Sequence, residues 1–227
     1  MQQEQEFYET AKAIISFTDS YTQNKQGKRN EQSDSESTDS LIEIAAYLKY
    51  FIDKIGYNNA YKQVIQFPKL LQSLSALSRF KFGTHLKEEE KQLRLKVRSC
   101  SRGCLYYIQV FGDEQDQSEL VNNGYGRVIS ISYCTAGGME EEHDVEIKYG
   151  LYYISRFLRE LLEGIYFRQP SFQPLPLLVP VPLEQIEEEG ANEEIDAQMS
   201  NNRYNGVIMI YADRARAVTL NHFIHRR

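Results

Sequence analysis

"KQLRLKVRSC", residues 91–100, decides how the rest of this chain is read. Leu93, Leu95 and Val97 alternate with Arg94, Lys96 and Arg98, a period of two that describes a half-buried β-strand with one apolar and one basic face. On this reading "CSRGC" (100–104) turns the chain and "LYYIQVFG" (105–112) returns it as a hairpin partner. The glycines of "NNGYG" (122–126) precede "RVISISYC" (127–134), and "TAGG" (135–138) precedes "HDVEIKYG" (143–150), where Val145, Ile147 and Tyr149 alternate with Asp144, Glu146 and Lys148. Four antiparallel strands are expected. Two more, "GVIMIYAD" (206–213) and "AVTLNHFI" (217–224), are expected to join them.

The flanking segments read as helices. Phe7, Ala11, Ile14, Ile15 and Thr18 fall at helical spacing, which predicts an amphipathic helix over residues 5–21 within an N-terminal segment 1–21. Thr22 to Asp39 contains no hydrophobic residue and reads as a disordered linker over 22–39, with Ser33, Ser35 and Ser37 set among acidic residues as phosphorylation candidates. "SLIE" (40–43) has the spacing of a capping box and opens a helix whose Leu41, Ile44, Ala45, Leu48, Phe51, Ile52 and Ile55 share one face, closed by Gly56. A second helix is expected over 58–66. A third follows Pro68, with Leu70, Leu71, Leu74 and Leu77 as its ridge. Leu151, Ile154, Leu158, Leu161, Leu162 and Ile165 predict a helix over 150–167 lying on the sheet. The expected fold is therefore α+β: an N-terminal helical layer, a mainly antiparallel sheet made of a four-strand meander, a helix, then two further strands. Residues 40–227 form one domain on this reading, carrying a proline-rich strap (170–182) and a flexible acidic loop (184–203).

Composition bounds the function. A formal net charge of -6 in 227 residues argues against a surface that coats nucleic acid or an anionic membrane throughout. Three cysteines, an odd number, read as reduced thiols, and no stretch resembles a signal peptide or a membrane span; an intracellular protein, cytoplasmic or nuclear and not membrane-bound, is expected. Cys100 and Cys104, with Cys134 and His143, have poor spacing for zinc, so no metal site is expected. A nucleophile at Cys134 beside His143 and Asp144 fails because neighbouring residues on a strand point to opposite faces. Phosphate-loop and dinucleotide spacings are absent too, so neither an enzyme nor a cofactor or small-molecule substrate is expected.

Two functional readings remain. The first is a non-catalytic interaction subunit or adaptor of a larger intracellular complex, binding one or more protein subunits through Phe7, Ala11, Ile14 and Ile15 of the tethered helix and through Phe172, Leu175, Leu177 and Leu178 of the strap. That strap holds five of the six prolines and is too apolar to stand in water, so it is expected to cover the chain's own fold or a partner. The second reading is a nucleic-acid-binding subunit, with an OB-like barrel whose basic face is Arg94, Lys96, Arg98 and Arg102, joined by the terminal Arg226 and Arg227.

Overall fold

The computed structural model describes residues 2–27, 38–58, 62, 64, 67, 69–80, 87–134, 144–168 and 170–224. Among them there is no strand, only one isolated antiparallel bridge between Ile165 and Phe172. The expected sheet is replaced by helices: α1 (Gln2–Gly27), α2 (Thr38–Asn58), α3 (Leu70–Leu77), α4 (Glu88–Phe111), α5 (Glu114–Asn122), α6 (Tyr125–Ser130), α7 (Asp144–Glu163), α8 (Pro180–Glu188), α9 (Ala191–Gln198) and α10 (Val207–Ile224). A 3₁₀ turn, Tyr204–Gly206, leads into α10. The chain divides into two compact units, Met1–Val110 and Phe111–Arg227, a division that falls inside the segment 40–227 read above as one domain.

The stretch 91–100 turns out to be helical for a reason its neighbours carry. Glu88, Glu89 and Glu90 stand in the first turn of α4, where negative charge complements the helix dipole, and the residues that follow are strong helix formers. Read beyond Val97, the buried apolar positions are Val97, Cys104, Leu105 and Ile108, a helical period. Arg94, Arg98 and Arg102 are four apart on the same helix and are buried, so the basic row is not a wet face; Lys96 alone of the four is exposed. Arg94 stacks its guanidinium over the ring of Phe80 at 4.6 Å. Gly103, read as a turn, sits inside α4 because α2 passes close to it: a Cβ there would lie 3.1 Å from Ile52 Cδ1.

In the first unit α1 packs on α2 and α3. Phe7 meets Phe51 edge to face with centroids 4.6 Å apart, and Tyr21 and Phe17 reach Phe80 at 4.5 and 6.1 Å. Phe7, Ala11 and Ile14 are buried and Ile15 is half-buried, so the expected partner-binding face of the helix is taken up by its own unit. The helix also runs past residue 21 to Gly27, into the segment read as a linker; residues 28–37, with Ser33, Ser35 and Ser37, lie outside the described residues. The ridge Leu70, Leu71, Leu74 and Leu77 is buried, as is the face Leu41, Ile44, Ala45, Leu48, Phe51 and Ile55. α2 begins at Thr38, which puts Ser40 inside its first turn rather than at the cap, and it continues past Gly56 to Asn58. Pro68 and most of residues 58–66 lie outside the described residues.

The second unit is built on α7, which lies against α10 along much of its length and against α6; α9 packs on α10, and α8 on α6. The helix expected over 150–167 is the later part of α7, which begins six residues earlier, at Asp144, in the stretch read as a strand. Of the alternating set, Ile147 is buried while Val145 and Tyr149 are exposed, so the alternation was not a buried face. "RVISISYC" fails as a strand similarly: Val128 and Ile129, adjacent in sequence, are both buried. The two C-terminal strands are one helix, α10, whose Ile208, Ala212, Ala215 and Thr219 face inward. The acidic loop is also helical; Ile186, Ala191 and Ile195 anchor α8 and α9, while Arg127 pairs with Glu188 and, at 2.8 Å, with Glu189.

Because Ile14 is fully buried in the first unit, Ile14→Ala removes packed methylenes from a core and is expected to cost about 2–5 kcal/mol. Urea denaturation followed by far-ultraviolet circular dichroism measures it; a change under about 0.5 kcal/mol, the value for a surface position, refutes the docking of α1.

Candidate functional site at the corner between α7 and α8

Helix α7 ends at Gly164, whose φ of +76° is the left-handed conformation that closes helices, with its amide donating to the Glu160 carbonyl at 2.9 Å. The chain then folds back on itself. Ile165 and Phe172 exchange both backbone hydrogen bonds, at 2.8 and 3.0 Å, and the Leu175 amide donates to the Leu161 carbonyl at 2.7 Å. That last bond satisfies one of the terminal carbonyls of α7 that no intrahelical amide can reach. Only glycine fits at 164 for a second reason: a Cβ there would sit 2.6 Å from the Phe172 carbonyl oxygen.

A buried ion cluster pins the same corner. The Glu160 carboxylate, nearly covered, accepts from Arg156 Nε at 2.9 Å and from Arg168 Nη2 at 3.0 Å to each oxygen. Arg156 lies one turn earlier on α7 and Arg168 on the returning chain, so the carboxylate ties helix to strap. Arg156 Nη1 also donates to the Tyr152 hydroxyl at 3.3 Å.

Within this frame the proline-rich segment divides. Phe172, Val179 and Pro182 are buried, and Pro180 and Pro182 stand in the first turn of α8, where a missing amide costs nothing. Leu175 and Leu178 are half-buried. Leu177 is 91% exposed and Phe167 84%, with Tyr166 beside it also exposed. Tyr166 also lines a cleft of about 750 Å³, with Ile165, Phe172 and Gln173 beside it and Asp113, Glu114 and Ser118 contributed by the start of α5. Asp113 caps α5, accepting from the amides of Gln115 (3.1 Å) and Asp116 (3.3 Å), while Asp116 Oδ2 accepts from the Asp113 amide at 2.8 Å. Glu114 follows on the first turn and is exposed.

The other sequence-derived candidates are not gathered into a site. Arg94, Arg98 and Arg102 are buried, Arg226 and Arg227 lie outside the described residues, and no barrel exists among the described residues to carry a nucleic-acid face. Cys100 and Cys104 lie one turn apart on α4, Cys134 follows α6 in the other unit, and His143 is outside the described residues; no described cluster of three or more His, Cys, Asp or Glu side chains could hold a metal ion. Burial pushes the Cys134 thiol up to about 12, with the carboxylates of Glu194, Glu189 and Glu193 adding to it, and burial raises Cys104 well above the ordinary thiol range. Neither is a ready nucleophile at neutral pH. No described helix is long and apolar enough to cross a membrane. Tyr166 and Phe167 escaped the sequence reading because they were absorbed into a helix drawn to residue 167; Gly164 after a periodic apolar run was the stop signal that would have released them.

No protein-family model matches this chain, and no curated protein or solved structure matches it either.

Two outcomes are expected in the second unit. Gly164→Ala forces a side chain into the returning backbone and should destabilise the second unit by about 1–3 kcal/mol in urea denaturation, whereas a neutral or stabilising result refutes the clasp. The Cys134 thiol is protonated in the fold up to about pH 12, whereas in the unfolded chain it ionises near 9.0. Its contribution to stability is therefore complete below that lower value and is lost progressively as pH rises toward the higher one. Cys134→Ser should flatten the fall of urea midpoint with pH in that window; identical slopes count against the buried thiol.

Proposed function

We propose that this chain is a non-catalytic interaction subunit that holds other proteins in a larger assembly, with the corner between α7 and α8 as its contact surface. One observation carries this reading: Phe167 and Leu177, the most exposed large apolar side chains among the described residues, stand on a segment whose backbone is hydrogen-bonded at Ile165, Phe172 and Leu175 and tied to α7 through Arg168. A loose loop would expose such groups in passing. Here the scaffold holds them out, and an apolar anchor that is already ordered loses little entropy on binding.

The partner fitting this corner is a protein segment with an apolar anchor and a basic residue. The anchor has Tyr166 and Phe172 to meet in the cleft, with Phe167 next to Tyr166 in the chain, and the basic side chain has Glu114 and Asp113 on the cleft's other wall. The same carboxylates repel phosphate, which favours a protein partner over a nucleic acid.

The test compares the full chain with Phe167→Asp/Leu177→Asp, two surface changes expected to leave the thermal melt within a few degrees of the parent's. Each is used to purify associated proteins from the native cell at gentle salt, with and without nuclease. A protein set that survives nuclease and is absent with the double variant is the expected result. A set retained by the variant, or one that disappears with nuclease, overturns the reading.

A further inference from the structure

Helix α10 is apolar on two sides. Its inner row, Ile208, Ala212, Ala215 and Thr219, is buried in the second unit. On the opposite side Ile210 is 47% exposed and Leu220 44%, with Met209 beside Ile210 also exposed. A surface helix ordinarily turns charged and polar residues to water; the outer face of α10 instead sets Ile210 and Leu220 to either side of the charged pair Asp213 and Arg214.

The outer row has an internal order. Ile210, Asp213, Ala217 and Leu220 are spaced three, four and three apart, the spacing of a two-helix seam, and all four are exposed. Read from the other end, Leu220, Ala217, Asp213 and Ile210 have the same spacing. An antiparallel second copy of the helix therefore meets it in register, each Ile210 opposite a Leu220 and each Asp213 opposite the small Ala217. Arg214, exposed beside Asp213, then comes to the centre with it. Asp213 has no ion-pair partner among the described residues, while Arg214 lies over the ring of its own Tyr211 at 5.3 Å. Pairing two copies collects two Asp213 and two Arg214 at the middle of the seam, a balanced set between two apolar ends.

We propose that α10 is the self-association surface of this protein, two copies pairing antiparallel through Ile210, Ala217 and Leu220 with Asp213 and Arg214 of each at the centre. The surface is symmetric in the way a twofold interface requires, the same patch serving both copies. This proposal does not depend on the corner between α7 and α8, which uses other residues.

Sedimentation of the full chain between about 1 and 200 µM, the range suited to an interface at the small end of the known sizes, tests it. The wild type is expected to move from monomer to dimer with concentration. Ile210→Asp/Leu220→Asp is expected to remain monomeric with an unchanged melt. Asp213→Arg leaves four positive charges at the centre of the seam and Arg214→Asp four negative ones, so each alone is expected to weaken dimerisation about tenfold or more. Mixed one to one, the two single variants set two Arg against two Asp and are expected to recover dimers. A wild type that stays monomeric throughout, a dimer indifferent to these variants, or single variants that dissociate without recovery on mixing overturns the proposal.

Discussion

The Glu160 carboxylate sets the geometry of the second unit's corner between α7 and α8. A carboxylate taken out of water is costly, and one guanidinium removed from it leaves an uncompensated buried charge, so helix and strap are held together by a penalty as much as by an attraction. Arg156 approaches from the same helix and Arg168 from eight residues further on, after the chain has reversed. The reversal requires glycine at 164, the clasp of Ile165 on Phe172 depends on the reversal, and the Leu175 amide reaches the last turn of α7 because of that clasp. Each step constrains the next. The outcome is a short irregular segment fixed at Ile165, Arg168, Phe172 and Leu175, from which Phe167 and Leu177 project.

How much of this was legible depends on where periodicity was long enough to decide. The faces of α2 and α3 and the later half of α7 repeat over enough residues to be read directly, and Leu41 to Ile55, Leu70 to Leu77 and Leu151 to Leu161 lie where that reading put them, in helices with buried apolar rows. Residues 93–98 offered only three alternations, and six residues of alternation fit either period. What separated the alternatives was outside the window: three glutamates in the preceding turn, and Cys104, Leu105 and Ile108 continuing Val97 at helical spacing. Glycines misled in the same way. Gly103 was read as a turn residue because a lone sequence cannot show that another helix passes 3.1 Å from where its Cβ would be.

The buried arginines illustrate a limit of a different kind. Arginine on an alternating face reads as solvent-exposed, yet its long stem and planar head also suit a covered position where a ring or an anion meets the guanidinium, as Phe80 does for Arg94. The sequence places three such residues four apart, and only the helical period shows that they share one side. For the candidate site the legible part was the apolar strap and its need for cover; which residues would be covered and which would project was not, because that follows from hydrogen bonds and an ion pair joining positions seven to fourteen apart.

The two outward surfaces of the second unit have complementary physical limits. A helix of 18 residues is about 27 Å long, so a seam made by α10 alone falls below the area of a durable dimer, and such pairing is reversible and concentration-dependent. The corner between α7 and α8 is likewise small, an anchor or two beside an acidic cleft. Neither alone gives strong association. On the two proposals above they would reinforce each other: a pair of copies would present two corners, and a partner with two matching segments would engage the second at the effective concentration set by the first. Occupied corners in turn hold two copies close and favour the α10 seam by the same coupling. Assembly of the proposed kind would be steep in concentration although every contact in it is weak, because its strength comes from coupling the two surfaces and not from either one.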